Sequence, residues 1–389
     1  MITNKKNKIA VIGLDCKFPA ESNGPDQFWD ALINKKNGIV KIPEDRWDHS
    51  YYYDPEGGQG KTYVDRAGFI SDVFDFCPSI FGMSEKEVAD IDPQHRLLIQ
   101  SSWNSIQNAG YRVDTIKERT GAFFGVSYRD YHDFDIAPNG VEGFTASNSL
   151  GNANAISAGR VAYLLGLKGP TLQIDTICSS SLMTLHLASQ SLISGECDYA
   201  LSGGVNCVLS PNGLVALSQM GALSKSAACQ TFSKDADGYI RGEGVGVLLL
   251  KRLEDAERDG DYIYGVVEAT ATNHDGRSNG LTAPNGKAQE ILIKDCIDKA
   301  GLLPEDIGYI EAHGTGTYLG DPVELEALYN VFGTSISPSK PLLTGSVKSN
   351  IGHLEPAAGV ASLVKSLLVL KHKMIPPGLH LEHLNPAFK

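Results

Sequence analysis

The stretch Asp175-Thr176-Ile177-Cys178-Ser179-Ser180-Ser181 separates two segments of different hydrophobic pattern. An apolar, strand-like run around Leu172 and Ile174 precedes it, and residues 182–188, which follow it, have helical spacing. The pattern predicts a strand-to-helix turn with Cys178 at the start of the helix. The helix dipole and the unpaired backbone N–H groups there favour a thiolate and can hold a developing oxyanion. Cys178 is therefore either a nucleophile that accepts an acyl group or a small residue that fills space in the core.

Two histidines occupy matching positions, each at the exit of an apolar run into a glycine-rich loop. His313 lies in the string EAHGTGT at 311–317, after the strand-like run 307–310, and His353 lies in SNIGH at 349–353, after 342–346. Loops that leave the carboxyl ends of strands are where α/β proteins usually build their sites, and neighbouring glycines let a ligand approach closely. Each histidine alone could be structural, but their matching positions together with Cys178 favour catalysis.

Several strings of this chain, in the same order, resemble a β-ketoacyl synthase (ketosynthase) domain of the modular, type I polyketide synthase class, within the thiolase-like superfamily. The resemblance runs from about Ile9 to about Pro386, nearly the whole chain. The matching strings lie at 91–98, 166–170, 175–181, 237–244, 276–285, 313–317 and 350–353.

The resemblance implies a decarboxylative Claisen condensation, which makes the protein an acyltransferase. Cys178 would hold an acyl chain as a thioester, while His313 and His353 donate hydrogen bonds to the thioester oxygen of a malonyl-type extender. Loss of carbon dioxide would give an enolate that attacks the acyl group, producing a β-ketoacyl thioester two carbons longer. Lys348 matches a lysine that the family places before the second histidine, where it sets local charge.

Other residues take supporting roles by the same resemblance. Thr315 and Thr317 match positions that bind the pantetheine arm, and Asp321 and Glu324 are expected to organise the His313 loop and the surroundings of Lys348. Ile177 stands where the family often has a smaller residue, so it is expected to narrow or redirect the acyl pocket. No cofactor or metal is expected in the domain itself, because the substrates are carried on the phosphopantetheine of an acyl carrier protein.

The composition is that of an ordinary globular protein, with 42% hydrophobic and 21% charged residues among 389. A net charge of −12 argues against a nucleic-acid partner but leaves room for a local basic patch that docks a carrier protein. Seven scattered cysteines without a C-x-x-C pair predict neither a disulfide framework nor a zinc site, which fits the cytoplasm. No apolar run reaches the ~18 residues of a membrane helix.

Strand and helix patterns alternate along the chain, which predicts an α/β protein. Expected strands lie at 9–14, 121–126, 199–202 and 245–250, and expected helices lie at 27–33, 93–109, 289–300 and 356–370. The resemblance adds the thiolase-like five-layer αβαβα fold built from two similar halves. We place these halves at 1–255, with Cys178, and 256–389, with both histidines, joined near the charged stretch 251–260.

The resemblance also implies a homodimer, and it leaves open whether the chain is a separate protein or one domain of a larger synthase. Family members continue for several tens of residues into a glycine-rich string that supplies a second oxyanion-hole amide and a closing strand, and that string is absent here. Two alternatives to a condensing enzyme therefore stay open. One is a non-elongating ketosynthase that passes or gates acyl chains, and the other is an inactive fragment with a partner role.

Overall fold

The computed structural model describes residues 7–280, 282–337 and 339–388. Most strands are short, and the longest, β1 and β8, are the ones whose sequence is most continuously apolar. The strands are β1 (Ile9–Phe18), β2 (Ser22–Asn23), β3 (Ile39–Lys41), β4 (Arg66–Gly68), β5 (Thr120–Gly125), β6 (Thr171–Ile174), β7 (Tyr199–Asn206), β8 (Gly244–Arg252), β9 (Gly265–Val267), β10 (Tyr309–Glu311) and β11 (Leu343–Gly345).

The helices connect these strands, and several begin at a side chain that caps free backbone N–H groups, such as Asp92 before α3 and Asn285 before α10. They are α1 (Pro25–Ile33), α2 (Glu85–Ala89), α3 (Pro93–Asn108), α4 (Val113–Ile116), α5 (Ala146–Gly151), α6 (Ser157–Leu165), α7 (Ser180–Ser194), α8 (Asn212–Gln219), α9 (Leu253–Asp259), α10 (Gly286–Ala300), α11 (Gly320–Phe332), α12 (Lys348–Ile351) and α13 (Ala358–His372).

A seven-stranded mixed sheet forms the centre of the protein, in the order β2-β1-β8-β7-β5-β6, with β9 also paired to β1. Strands β5, β6 and β7 are parallel, whereas β8 runs antiparallel to both β7 and β1. Both faces of this sheet are covered, which explains why β8 is apolar almost throughout. The carboxyl end of β6, an edge strand, leads directly into the turn that carries Cys178.

Five layers follow one another through the molecule. Helices α3 and α6 pack on one face of the large sheet, around a core that includes Leu98 and Phe124, and α7 and α13 pack on the other face, around Leu185 and Val364. Beyond α13 lies a small parallel sheet of β10 and β11. Helices α10 and α11 cover its far side through an apolar cluster that includes Leu328. The order is therefore α–β–α–β–α, as expected from the resemblance.

The two halves differ in their number of strands. Within the described residues, the second half contributes only β9, β10 and β11, and β9 belongs to the sheet of the first half. An apolar groove of about 360 Å³ lies beside β9, lined by residues of α10 and α13 among others. The expected strands and helices are all present, several of them extended by a few residues at one or both ends.

The charged stretch 251–260, near which we place the join between the two halves, has regular secondary structure. Its first two residues end β8, and α9 takes up the rest as far as Asp259. Lys251 is buried and pairs with Asp259 and Asp261 at 2.6 and 2.7 Å. Ion pairs hold several charged side chains of this stretch, including Arg252 and Arg258, which both pair with Asp255. The proposed boundary at 255/256 falls inside α9.

Among the described residues, no helix is both long enough and apolar enough to cross a membrane.

The close approach of β7 to the turn 355–357 gives a test of this packing. A Cβ atom on Gly204 would lie 2.6 Å from the carbonyl oxygen of Pro356, whereas one on Gly159, in α6, would meet nothing within 4 Å. We expect Gly204→Ala to lower the free energy of unfolding by about 1–3 kcal/mol. Gly159→Ala should instead raise it by about 0.5–1 kcal/mol. Urea denaturation measures both, and a Gly204→Ala variant as stable as the wild type would contradict the packing.

Candidate active site

The turn that carries Cys178 is held by side chains at its two ends. Asp175 accepts a hydrogen bond from the backbone N–H of Ile177 at 3.0 Å, and Ser180 accepts one from the N–H of Thr176 at 2.9 Å. The hydroxyl of Ser180 in turn donates to the carbonyl oxygen of Ile177 at 2.7 Å. A single helical turn at Ile177–Ser179 follows, and α7 begins at Ser180, so the predicted strand-to-helix turn is present.

Ile177 carries backbone strain directly before the nucleophile. Its φ is +53°, in the left-handed region, which a β-branched residue rarely adopts. Such a conformation costs on the order of 1–3 kcal/mol and occurs mostly at functional sites, where the surrounding structure imposes it. The side chain is 49% exposed, so it projects from the turn and does not fill the core.

The structure brings His313 and His353 together. Their rings lie edge to face, with centroids 5.4 Å apart and planes at 85°. They come from the loops after β10 and β11, two neighbouring parallel strands whose carboxyl ends meet at one edge of the small sheet. The turn that carries Cys178 packs against the turn 355–357, which begins two residues after His353. Three segments distant in sequence therefore meet at one place.

Hydrogen bonding fixes which nitrogen of His353 carries its proton. The backbone N–H of Glu355 donates to Nδ1 of His353 at 2.9 Å, so Nδ1 is the acceptor and the proton of the neutral ring is on Nε2. The backbone of His353 is held by Ile240, whose carbonyl accepts at 2.7 Å, and by Gly242, whose N–H donates at 2.8 Å. The ring therefore presents an N–H donor in a fixed direction.

Two carboxylates organise the loop of His313, as the sequence predicts. Glu324 accepts the backbone N–H groups of His313 and Gly314 at 2.7 and 2.8 Å. Asp321 accepts those of Gly316 at 3.0 Å and Phe232 at 2.7 Å. Because Asp321 and Glu324 lie at the start of α11, one helix N-terminus holds the whole loop.

Lys348 is buried beneath the two histidines. Burial lowers its pKa, whereas the nearby carboxylates of Glu311 and Glu324 raise it. Its positive charge contributes to lowering the pKa of both histidines. The lysine therefore sets the charge of the site, which is the role that the resemblance implies.

Both imidazoles are held neutral. Desolvation is the main cause in each ring and Lys348 adds to it, so the pKa of His313 falls to about 3 and that of His353 falls well below its usual range. Although its surroundings are crowded, the side chain of His313 keeps solvent-accessible surface on a cleft. Near neutral pH, each ring can donate an N–H without carrying a charge.

The expectation that the helix start would favour a thiolate is wrong for this structure. Burial raises the pKa of Cys178 to about 11, and the carboxylate of Glu355 raises it further, whereas Lys348 only partly opposes both effects. The side chain is half-buried. Desolvation of the charged sulfur, together with the carboxylate of Glu355, therefore favours a thiol at rest.

Thr315 and Thr317 lie next to each other, with their hydroxyl oxygens 3.1 Å apart. Thr315 and His313 line a cleft of about 270 Å³ that is closed on one side by apolar residues of α10, including Leu292 and Ile293. The cleft offers hydroxyl groups beside His313 and an apolar wall opposite them. Among the described residues, no cluster of three or more His, Cys, Asp or Glu side chains could hold a metal ion.

Three residues without a role in the sequence analysis contribute to the site. Glu311 accepts the backbone N–H of Val347 at 2.6 Å and pairs with Lys365 at 2.8 Å, which ties the two histidine loops to α13. Glu355 and Arg241 form a buried ion pair. The sequence did place Glu311 and Glu355 two residues from a histidine, which could have marked them as part of the site. Spacing alone, however, does not show what a glutamate binds.

Comparison with known protein families gives two adjoining matches. Residues 6–256 match the model of the β-ketoacyl synthase N-terminal domain, and residues 264–382 match that of the C-terminal domain. The chain belongs to the β-ketoacyl synthase family. This is a family of acyltransferase-type condensing enzymes, as the resemblance implies.

The ketosynthase resembles segments of large polyketide synthases. It is 44% identical over 382 residues to a phenolphthiocerol/phthiocerol polyketide synthase of Mycobacterium tuberculosis, covering 97% of this chain and 24% of that protein. It is 42% identical over 378 residues to polyketide synthase GfsB of Streptomyces halstedii, covering 96% of this chain and 7% of that protein. The ketosynthase therefore spans less than a quarter of the length of these relatives.

Solved structures of ketosynthase domains share its fold. The oxazolomycin ketosynthase domain OzmH KS7 of Streptomyces albus JA3453 superposes with a TM-score of 0.92 at 41% identity, covering 98% of this chain and 66% of that one. The ketosynthase from module 6 of the bacillaene synthase of Bacillus subtilis 168 superposes with a TM-score of 0.89 at 40% identity. This match covers 98% of this chain and 64% of that one. The thiolase-like α/β fold is thereby confirmed.

The high pKa of Cys178 predicts how alkylation depends on pH. Because only the thiolate reacts, the rate of iodoacetamide modification at Cys178 should rise about tenfold per pH unit from pH 7 and continue to rise towards pH 11. Peptide mapping by mass spectrometry separates Cys178 from the exposed Cys77, which serves as an internal control. A rate at Cys178 that levels off below pH 8 would restore the thiolate expected from the helix dipole.

Proposed function

We propose that this protein condenses a Cys178-bound acyl chain with a malonyl-type extender carried on an acyl carrier protein, in polyketide or related fatty acid biosynthesis. The observation that carries this proposal is the pair of neutral imidazoles, His313 and His353, beside the turn of Cys178. Two uncharged donors suit a step in which negative charge develops on one oxygen. A hydrolase that used a histidine as a base would need a ring that gains a proton readily, which these rings do not.

Acyl loading is the first step. The sulfur of Cys178 attacks the carbonyl carbon of an acyl thioester, the bond to the departing pantetheine sulfur breaks, and the proton of the thiol passes to that sulfur. The backbone N–H groups at the start of α7 are proposed to bind the oxyanion as it develops. Because the resting residue is a thiol, loading includes loss of this proton.

Condensation is the second step. His313 and His353 donate hydrogen bonds to the thioester oxygen of the extender as its C–C bond to the carboxylate breaks and carbon dioxide leaves. The resulting enolate carbon attacks the acyl carbonyl on Cys178, the bond to the sulfur breaks, and the departing thiolate takes up a proton from solvent to restore the resting thiol. The product is a β-ketoacyl thioester two carbons longer, bound to the carrier. Each donor is worth on the order of 3 kcal/mol in the transition state.

The pantetheine arm is proposed to lie in the cleft beside His313, where Thr315 and Thr317 offer hydroxyl groups. Lys348, Asp321 and Glu324 then support the chemistry without touching the substrate. Asp321 and Glu324 hold the loop backbone, and Lys348 keeps the imidazoles neutral. No cofactor is assigned to the domain, since the carrier supplies the phosphopantetheine.

Ile177 is proposed to limit which acyl groups are accepted. It adjoins Cys178, it is half exposed, and its strained backbone fixes the direction in which its branched side chain points. A branched side chain beside the acyl carbon leaves less room for substituents at the neighbouring carbon of the substrate.

A homodimer is proposed through strand β6. This strand is the edge of the large sheet, and Leu172 on it is 44% exposed. Tyr163 of the adjoining α6 is 84% exposed. An edge strand with apolar side chains is a surface on which a second strand can pair, and a second copy supplies one.

The remaining assignments concern the setting of the enzyme. All seven cysteines are free, which fits a cytoplasmic enzyme. We propose further domains of a multidomain synthase as partners, because the relatives are multidomain proteins. The division into halves at 1–255 and 256–389 is likewise proposed.

Separate assays of loading and condensation test this function. We expect Cys178→Ala to accept no acyl group from an acyl-pantetheine thioester, as measured by intact mass. His353→Ala should load normally but condense about a hundredfold or more slowly, because it lacks one oxyanion donor. The control is His383→Ala, which removes an exposed imidazole near the end of the chain that has no assigned role in the site.

Three results would contradict the assignment. Condensation by His353→Ala at the rate of the wild type would exclude His353 as a donor. A wild-type protein that loads Cys178 but never condenses would favour the non-elongating, gating alternative, and one that neither loads nor condenses would favour an inactive fragment.

A further inference from the structure

Arg241 and Glu355 form an ion pair that is almost completely removed from solvent. The Nε of Arg241 donates to both carboxylate oxygens of Glu355 at 3.0 and 3.1 Å, and its Nη2 donates to one of them at 2.7 Å. Their side chains are 0% and 2% exposed. Because several hydrogen bonds join the guanidinium to the carboxylate, they fix the relative orientation of the two groups as well as pairing their charges. Arg241 lies in the N-terminal family region and Glu355 in the C-terminal one, so the pair ties the two together.

Other groups complete the surroundings of the Glu355 carboxylate. Asn206 of β7 donates to it at 3.1 Å, and the hydroxyl of Tyr128 lies 3.4 Å away. The ring of Tyr128 also lies against the guanidinium of Arg241, 4.7 Å from its centroid. Each partner is thus surrounded by groups that favour its charged form, and loss of one would leave the other buried and unpaired.

The same two residues hold His353 from both sides. The backbone of His353 is bonded to Ile240 and Gly242, the two neighbours of Arg241, at 2.7 and 2.8 Å. Its ring accepts the N–H of Glu355 at 2.9 Å. The ion pair therefore connects the segment that holds the histidine backbone to the residue that orients its ring.

The backbone of Glu355 is strained, with a φ of +48°. Glycine adopts this conformation freely and would provide the same N–H group without strain. A glutamate is held there by its carboxylate contacts, so the side chain is what maintains the strained turn after His353.

We propose that Arg241 and Glu355 are positioning residues for His353, and that their ion pair is required for rapid condensation but not for acyl loading. This inference deepens the proposed function and rests on it. The pair does not touch the substrate. It acts by holding the Nε2–H of His353 in the direction of the thioester oxygen.

Glu355 also provides a second, independent readout, because its carboxylate raises the pKa of Cys178. A neutral side chain at position 355 should move the alkylation profile of Cys178 to lower pH. This shift would report that the carboxylate of Glu355 lies close enough to Cys178 to act on its charge.

Glu355→Gln and Glu355→Gly are the test variants. Glu243→Gln is a matched control, since Glu243 is another fully buried glutamate paired with an arginine, Arg46, at 3.0 Å, but it does not contact His353. Each protein is assayed for acyl loading by intact mass and for condensation by product formation. Alkylation of Cys178 is then followed against pH.

We expect Glu355→Gly to load acyl groups as the wild type does but to condense about a hundredfold more slowly, because misplacement of a donor by about 1 Å has this effect. Glu355→Gln should likewise load normally and condense slowly, and the midpoint of Cys178 alkylation should move to lower pH. Arg241→Met combined with Glu355→Gln should be more stable than Arg241→Met alone, since the carboxylate of Glu355 is then not left buried without its partner. Glu243→Gln should keep the ratio of condensation to loading and the alkylation midpoint of the wild type.

Normal condensation by Glu355→Gly would overturn the proposal, and so would an equal loss of loading and condensation in Glu355→Gln and Glu243→Gln. Failure of the proposed function looks different, because the wild type itself would then not condense. In that case, an unchanged alkylation midpoint in Glu355→Gln would overturn the placement of Glu355 beside Cys178, and a lowered midpoint would support it.

Discussion

Desolvation of ionisable groups at the meeting point of two parallel strands is the constraint on which this site depends. Desolvation is the main cause that lowers the pKa of His313 and His353, and the charge of Lys348 adds to it. The lysine stays close because Glu311 and Glu324 balance it, and the same two carboxylates accept the backbone N–H groups of the loops. Charge balance and loop geometry are therefore set by the same atoms. A change at one carboxylate alters both.

The site is also a junction between distant parts of the fold. The turn of Cys178 leaves an edge strand of the large sheet, while the histidines leave the small sheet on the other side of α13. The contact between them is made by the turn after His353, which packs against both the Cys178 turn and the glycines of β7. The ion pair of Arg241 and Glu355 closes this contact. Catalytic geometry thus depends on how the two sheets are held together.

The sequence predicted strands β1, β5, β7 and β8, helices α1, α3, α10 and α13, and the loop positions of the nucleophile and both histidines, because hydrophobic period and glycine placement act locally. It did not predict the thiol state of Cys178, since the desolvation that raises its pKa comes from residues remote in the chain. Glu355 went unassigned for the same reason, as its partner Arg241 is 114 residues away. The charge of the stretch 251–260 did not show that Lys251 is buried, because its pairing with Asp259 and Asp261 appears only in the fold.

The proposed condensation requires His353 to be a neutral imidazole with its proton on Nε2. The 15N chemical shifts of the ring, in protein labelled at histidine and assigned with the His353→Ala variant, test this most directly. We expect a protonated Nε2 and an unprotonated Nδ1 that do not change between pH 5 and pH 8, since burial holds the pKa well below the usual value for histidine. An imidazole of His353 that gains a second proton between pH 5 and pH 8, or one that is protonated on Nδ1, would contradict its role as a neutral Nε2–H donor.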